Sequence, residues 1–231
     1  VLLDADLGLA NVDVLLGVKA ERNLADVLAG RCDMVDALAP GPCGLSVLAG
    51  ASGVPRMADL GETERQTLFH HLDGLQHWAD ILVIDTGAGI SRNVIGFAAC
   101  ADDVVVVTTP EPTAMIDAYA AIKMIHREDQ HGRVRVVVNQ AASEREGEKV
   151  ARGVAQTCRR FLGIQVEHLG TVPADAHVPE AVRRQKSFFV ESPGCAAAAA
   201  VRGIAAGLVP DAKLDPQPSQ FLHKLKRLFG R

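Results

Sequence analysis

The sequence predicts an α/β fold: a mainly parallel, doubly wound sheet with helices on both faces. Three observations predict it. Strand-like and helix-like segments alternate along the chain, several of the strands are continuously apolar, and strand after strand ends in a polar signature. A strand covered on both faces has no solvent side, so it loses the apolar–polar alternation of a half-buried one. No internal repeat competes with this reading.

The elements follow in order. The apolar run of residues 1–3 ends in Asp4, and Asp6 lies two residues on. Positions i and i+2 share a strand face, so two carboxylates stand together where the strand runs out. Gly8 allows a turn, and Asn11 is placed to cap a helix carrying Val12, Leu15 and Leu16. Short helical patterns at 23–29 and 33–38 precede a Pro40-Gly41-Pro42 break, a strand at 45–48 and a loop at 50–55. Residues 62–78 read as an amphipathic helix with Leu68, Leu72 and Leu75 inward. A strand at 81–84 delivers Asp85 and then Thr86-Gly87-Ala88-Gly89, after which Ser91 caps a helix through Phe97.

The strand 104–107 leads into Thr108-Thr109-Pro110-Glu111-Pro112 and a helix at 113–126. A strand at 134–138 ends in Asn139, and a polar-faced helix spans 144–161. The strand at 166–172 ends at Pro173-Ala174-Asp175, and helices follow at 179–185 and 194–208. Residues 1–208 thus form one domain, 209–219 a polar Pro-containing linker and 220–231 a terminal helix.

Composition bounds the function. A chain of 231 residues with 48% hydrophobic content builds one large core with room for a small appendage. A net charge of −4 and only 4% aromatics supply neither an electrostatic footprint nor stacking platforms, so direct nucleic-acid binding is not expected. Five scattered cysteines without a CxxC pair argue against a zinc site or a disulfide framework and fit a reducing cytosol. No secretory signal and no bilayer-length apolar run is present. The chain starts without Met inside a strand-like run, as a sequence does whose beginning has been cut off.

Four segments share one grammar, an apolar strand running into a polar signature: DAD at 4–6, DTGAG at 85–89, TTPEPT at 108–113 and VNQA at 138–141. Ligands of open α/β sheets collect outside the carboxyl ends of the strands. Acids there suit a hydrated Mg²⁺, and glycine leaves room for a phosphate. In the terminal helix, Phe221, Leu222, Leu225, Leu228 and Phe229 fall on one stripe, with Lys224, Lys226 and Arg227 on the rest. A basic amphipathic helix of this kind suits an anionic membrane surface, and one so short needs avidity to hold. The same stripe is also able to dock on protein.

DADLGLANVDVLLG, NLADVLAGRC, VIDTGAGI, EPTAMIDAYAAIKMI and the late VPAD together resemble the MinD/ParA-type deviant-Walker ATPases, most closely their flagellar number-regulator branch, FlhG/FleN. The resemblance covers roughly residues 1–208 and implies a P-loop NTPase fold, ATP and Mg²⁺ as cofactors, and an ATP-bound homodimer. It implies that Asp6 is the catalytic aspartate positioning the attacking water, and that Asp4 and Asp85 hold the magnesium shell. It further implies that Asn139 binds the adenine ring, that Pro173 and Asp175 belong to the loop lining the base, and that Glu111 reaches ribose across the dimer. Glu111 and Asp175 are equally placed to cap the helices that follow them.

By the same resemblance the tail is a membrane-targeting helix, which places the protein in the cytoplasm at the inner face of the membrane. The partners implied are a flagellar transcription regulator, an SRP-type GTPase (FlhF-like) and basal-body proteins. One departure stands out: no G-x-x-x-x-G-K-[ST] occurs in the sequence. Without a phosphate-cradling loop and its central strand, the chain as written is expected to be inactive, its ATPase activity belonging to the intact protein. Rival readings are a MinD-type division-site regulator and a non-catalytic binding module.

Overall fold

The computed structural model describes residues 1–6, 8–51, 61, 67–68, 71–72, 75, 78–128 and 133–209. They fall into two compact units, one over Val1–Cys100 and one beginning at Ala101.

In the first unit, β1 (Leu2–Asp4) lies between β3 (Ser46–Leu48) and β4 (Val83–Asp85), parallel to both, and β2 (Leu38–Pro40) adds antiparallel to β3. Leu3, Val47 and Leu48 are fully buried. The core joins Leu3 and Leu48 to Leu24 and Val27 of α2 (Leu24–Leu28), to Leu68, Leu72 and Leu75, and to Phe97 and Cys100 of α3 (Arg92–Cys100). The inward stripe expected of the 62–78 helix is thus present at its described positions. Ser91 Oγ accepts the Val94 N–H at 3.3 Å, the expected cap of α3.

The helix expected at 33–38 is instead a turn running into β2. The ring of Pro40 holds the residue before it extended, and Pro40 itself is tolerated because β2 is an edge strand. A 3₁₀ turn, Pro42–Gly44, returns the chain to β3, with Gly41 N–H donating to Leu45 O at 2.7 Å.

The second unit carries an all-parallel sheet with β6 (Arg133–Ala141) between β5 (Asp103–Thr108) and β7 (Glu167–Pro173). Val136 and Val138 are 1% and 0% exposed, as the continuous apolar run requires. Three longer helices pack on this sheet: α4 (Pro112–Glu128) on β5, α5 (Glu144–Leu162) on β6 and β7, and α8 (Ala196–Leu208) on β7. Two glycines show how β7 is covered. A Cβ on Gly147 of α5 would meet Thr171, and a Cβ on Gly170 would meet Ile204 of α8. Neighbouring strand residues point to opposite faces, so α5 and α8 cover opposite sides of this sheet.

Between β7 and α8 lie α6 (His177–Arg183), expected at 179–185, and a short α7 (Phe188–Glu191) that the sequence reading missed. Each sheet ends on a strand with exposed apolar side chains, Val83 on β4 and Val105 with Val107 on β5. The linker from residue 210 on and the terminal helix, with Phe221, Leu222, Lys224, Leu225, Lys226, Arg227, Leu228 and Phe229, lie outside the described residues. Among the described residues, no helix is long and apolar enough to cross a membrane.

Candidate functional site

In the first unit the pairing of β1 with β4 sets Asp4 opposite Asp85, so two carboxylates leave adjacent strands at the same end. Asp4 is 1% exposed. A buried charge needs donors, and Asp4 has them: Oδ1 accepts the Asp6 N–H at 3.2 Å, and Oδ2 accepts the N–H groups of Asn11 at 2.9 Å and Val12 at 3.0 Å. The cap expected of Asn11 is therefore supplied by Asp4, and the Asn11 side chain makes no capping bond at the start of α1 (Val12–Leu16). The negative carboxylate also sits well at the positive end of that helix.

Asp6 lies at the turn that Asp4 holds, and its Oδ1 accepts the Leu9 N–H at 3.1 Å. A Cβ added to Gly87 would sit 2.9 to 3.0 Å from the Asp6 carboxyl atoms, so glycine at this place in DTGAG leaves the room the carboxylate occupies. Gly50 does the same for Asp4: a Cβ there would lie 2.9 Å from Asp4 O and 2.5 Å from Ala10 Cβ. Desolvation, then the charges of Asp4 and Asp6, raise the Asp85 carboxyl above the ordinary aspartate value. Three acids with mutual repulsion and Gly-lined space fit a divalent cation, which would relieve that repulsion.

In the second unit the carboxyl ends of β5, β6 and β7 frame a cavity of about 460 Å³, lined among others by Thr109, Glu111, Gln140, Glu146 and Ala174. Thr109 Oγ1 is buried without a hydrogen-bond partner, so the lining keeps a polar atom in reserve for a ligand. Glu146 is fixed by its N-terminal position in α5: Oε2 accepts the Ala142 N–H at 2.7 Å, and its own N–H donates to Ser143 Oγ at 3.2 Å.

Asn139 does not end its strand. The β6–β7 register breaks between Val138 and Ala141, and the strand then resumes opposite Pro173. Asn139 Oδ1 accepts the Gln140 N–H at 2.9 Å, and Gln140 takes φ 57°. A non-glycine residue in the left-handed region costs about 1–3 kcal/mol, and such bulges re-aim side chains beside sites.

Of the residues the sequence singles out, Glu111 lines this cavity, while Asn139, Pro173 and Asp175 flank lining residues without lining it themselves. The Asp175 carboxylate turns to α6 and α8, accepting the N–H groups of His177 at 3.0 Å and Ala197 at 3.1 Å. These bonds, led by the one from His177, hold its pKa well below the usual carboxylate range. Thr109, Gln140 and Glu146 were missed as site residues. The first two lie inside motifs already noted, TTPEPT and VNQA; the third sits in an S-x-x-E capping spacing, Ser143 to Glu146, that the sequence reading did not use.

Comparison with known proteins gives the family and the fold. The family model described as "ParA: NUBPL iron-transfer P-loop NTPase" matches residues 64–209. Over 204 residues the chain is 39% identical to the antiactivator FleN of Pseudomonas aeruginosa, spanning 88% of this chain and 73% of that protein. It is 30% identical over 184 residues to the flagellum site-determining protein YlxH of Helicobacter pylori, spanning 79% of this chain and 62% of that one. Among solved structures, the septum site-determining protein MinD of Pyrococcus horikoshii, complexed with Mg-ADP, superimposes with a TM-score of 0.73 at 22% identity, covering 92% of this chain and 83% of the other.

Proposed function

The chain belongs to the ParA family of P-loop NTPases, and from that membership we propose that it is the working part of a nucleotide-driven switch that restrains flagellar number or placement. The observation that carries the chemistry is the Asp4–Asp85 pair on adjacent strand ends, with Asp6 seated against Gly87. The flagellar role is supported by the likeness to FleN and YlxH.

In this reading each residue has a task its surroundings prepare. Asp4 spends both oxygens on backbone donors, so it acts on the magnesium shell through the loop it fixes. Asp85, partly desolvated and crowded by like charge, faces the cation and its bound water. Asp6 has Oδ1 held by Leu9 N–H, which leaves Oδ2 to orient the attacking water. Bound there, Mg²⁺–ATP supplies the phosphoryl group and the positive charge that offsets its developing negative charge. The phosphates also need a cradling loop, which these residues do not include.

In the second unit Thr109 and Glu111 offer a hydroxyl and a carboxylate to a ribose, with Glu111 acting across a homodimer. Asn139 keeps its amide N–H₂ for an adenine acceptor. Asp175 holds the 173–175 segment in shape, and Pro173 closes it. ATP would favour the dimer, pairing two terminal helices on an anionic inner membrane surface, and hydrolysis would release them. The partners would be a flagellar transcription regulator, an SRP-type GTPase of the FlhF kind and basal-body proteins.

The test is genetic. Deletion of the gene should raise the number of flagella per cell or misplace them, and an Asp6→Ala allele should fail to restore the wild-type pattern. Cells with normal flagella but misplaced septa would move the chain to the division-site role instead.

A further inference from the structure

The N-terminal turn of α8 gathers three ligand-type side chains that the nucleotide reading does not use as a group. A carboxylate oxygen of Asp175, a ring nitrogen of His177 and Sγ of Cys195 all lie within 4.8 Å of one another, the one such group of three among the described residues. Each is held in place before any ion arrives. Asp175 Oδ1 accepts the His177 N–H at 3.0 Å and faces its Nδ1 at 2.7 Å, while Oδ2 accepts the Ala197 N–H at 3.1 Å. Cys195 Sγ accepts the next amide of the same helix turn, Ala198 N–H, at 3.4 Å.

The surroundings are those of a metal pocket. On one side Cys195 packs against an apolar cluster that includes Val137, Val172, Val178, Phe188 and Ala197. On the other the His177 side chain is 55% exposed, which leaves a way in. An oxygen, a nitrogen and a sulfur ligand do not suit magnesium or calcium, which take oxygen donors. They suit a borderline cation, zinc first, with the fourth tetrahedral position left to water.

We propose that Asp175, His177 and Cys195 form a zinc site at the start of α8. Binding replaces the thiol proton of Cys195, released to solvent, with a sulfur–zinc bond, and no redox step is involved. The ion ties the segment after β7 to the N-terminus of α8 across α6 and α7. The spacing conceals it: Asp175 and His177 are separated from Cys195 by a helix pair, so no close Cys/His motif appears in the sequence.

The test uses the full chain, with Zn²⁺ titrated against a chromophoric chelator and Co²⁺ as a spectroscopic stand-in. The wild type should bind one Zn²⁺ per chain and give a thiolate-to-cobalt charge-transfer band. Cys195→Ser, which keeps an oxygen able to cap α8, should lose the band. Cys195→Ser and His177→Ala should each weaken binding at least about tenfold, the smallest loss seen even for residues that only orient a ligand. Cys43→Ser, which removes an exposed thiol elsewhere, should change neither readout. Absence of stoichiometric binding, or a band that survives Cys195→Ser, or one that disappears with Cys43→Ser, would overturn the proposal.

Discussion

Asp85 shows what one carboxylate costs the fold when it is placed for a cation. Desolvation and the charges of Asp4 and Asp6 raise its pKa, so the folded chain holds that proton to higher pH than the unfolded chain does. Where the folded state binds more protons, stability falls as pH rises. Without Mg²⁺, Asp85→Asn should therefore raise the melting temperature at pH 7, with the gain shrinking as pH falls through the raised folded pKa and gone below about 4, the ordinary aspartate range. Thermal melts of both proteins at the two pH values measure this, and an unchanged or lowered melting temperature at pH 7 would remove the repulsion argument. The two acids were legible in the sequence as a DxD where a strand runs out, although β1 ends at Asp4 and Asp6 lies in the turn beyond it rather than on a shared strand face. The division of labour between them was not. Nothing in DADLGLAN says that Asp4 is buried to 1% and caps α1 in place of Asn11, because the cap reaches seven positions and more along the chain.

At the scale of elements, the contact of α5 with β7 turns on a hydrogen atom. A Cβ on Gly147 would lie 2.7 Å or less from three Thr171 side-chain atoms, including its Cβ, which has no rotamer to escape into. Alanine is the better helix former by about 1 kcal/mol, whereas overpacking a tight contact costs about 1–3 kcal/mol. Gly147→Ala should then destabilise by about 1 kcal/mol or more. Gly203→Ala in α8 has nothing within 4 Å of the added carbon and should stabilise by up to about 1 kcal/mol. Denaturant titrations of the two variants give the comparison, and equal shifts would mean that helix propensity alone governs both.

The longer elements were readable from periodicity: β5, β6, α4, α5 and α8 stand within a few residues of their expected bounds. The short ones were not. Residues 33–38 have helical spacing, yet Pro40 and the pairing of β2 with β3 leave them a turn that runs into a strand. The bulge at Asn139 and Gln140 leaves no pattern because the strand resumes beyond it. Asp175 as a helix cap was one of two readings the sequence left open, and its bonds to His177 and Ala197 are those of a cap.

At the scale of the whole molecule, the proposed switch joins a hydrolytic site to a membrane helix. Leu225→Glu with Phe229→Glu places two charges on the apolar stripe and should release the protein from anionic liposomes. Lys226→Glu with Arg227→Glu should weaken binding mainly at low salt, where exposed charges are least screened. ATP should strengthen the wild-type interaction, since a dimer's second helix engages at high effective concentration. Co-sedimentation at low and high salt, with ATP or ADP, reads all three, and equal sedimentation of the Leu225/Phe229 double variant would mean that the stripe packs on protein. The α/β class was plain from alternation and apolar strands. The arrangement of the described residues as two compact units was not, because no linker-like composition marks the chain near Cys100.

The central claim is that the acids at the ends of β1 and β4 run nucleotide hydrolysis, with Asp6 acting on the attacking water. The most direct measurement is steady-state ATP turnover, beside Mg²⁺–ATP binding, for wild type and Asp6→Ala in the protein as its gene encodes it. The account predicts that Asp6→Ala keeps nucleotide binding and loses turnover by about 10²-fold or more. Turnover equal to wild type in Asp6→Ala would contradict it.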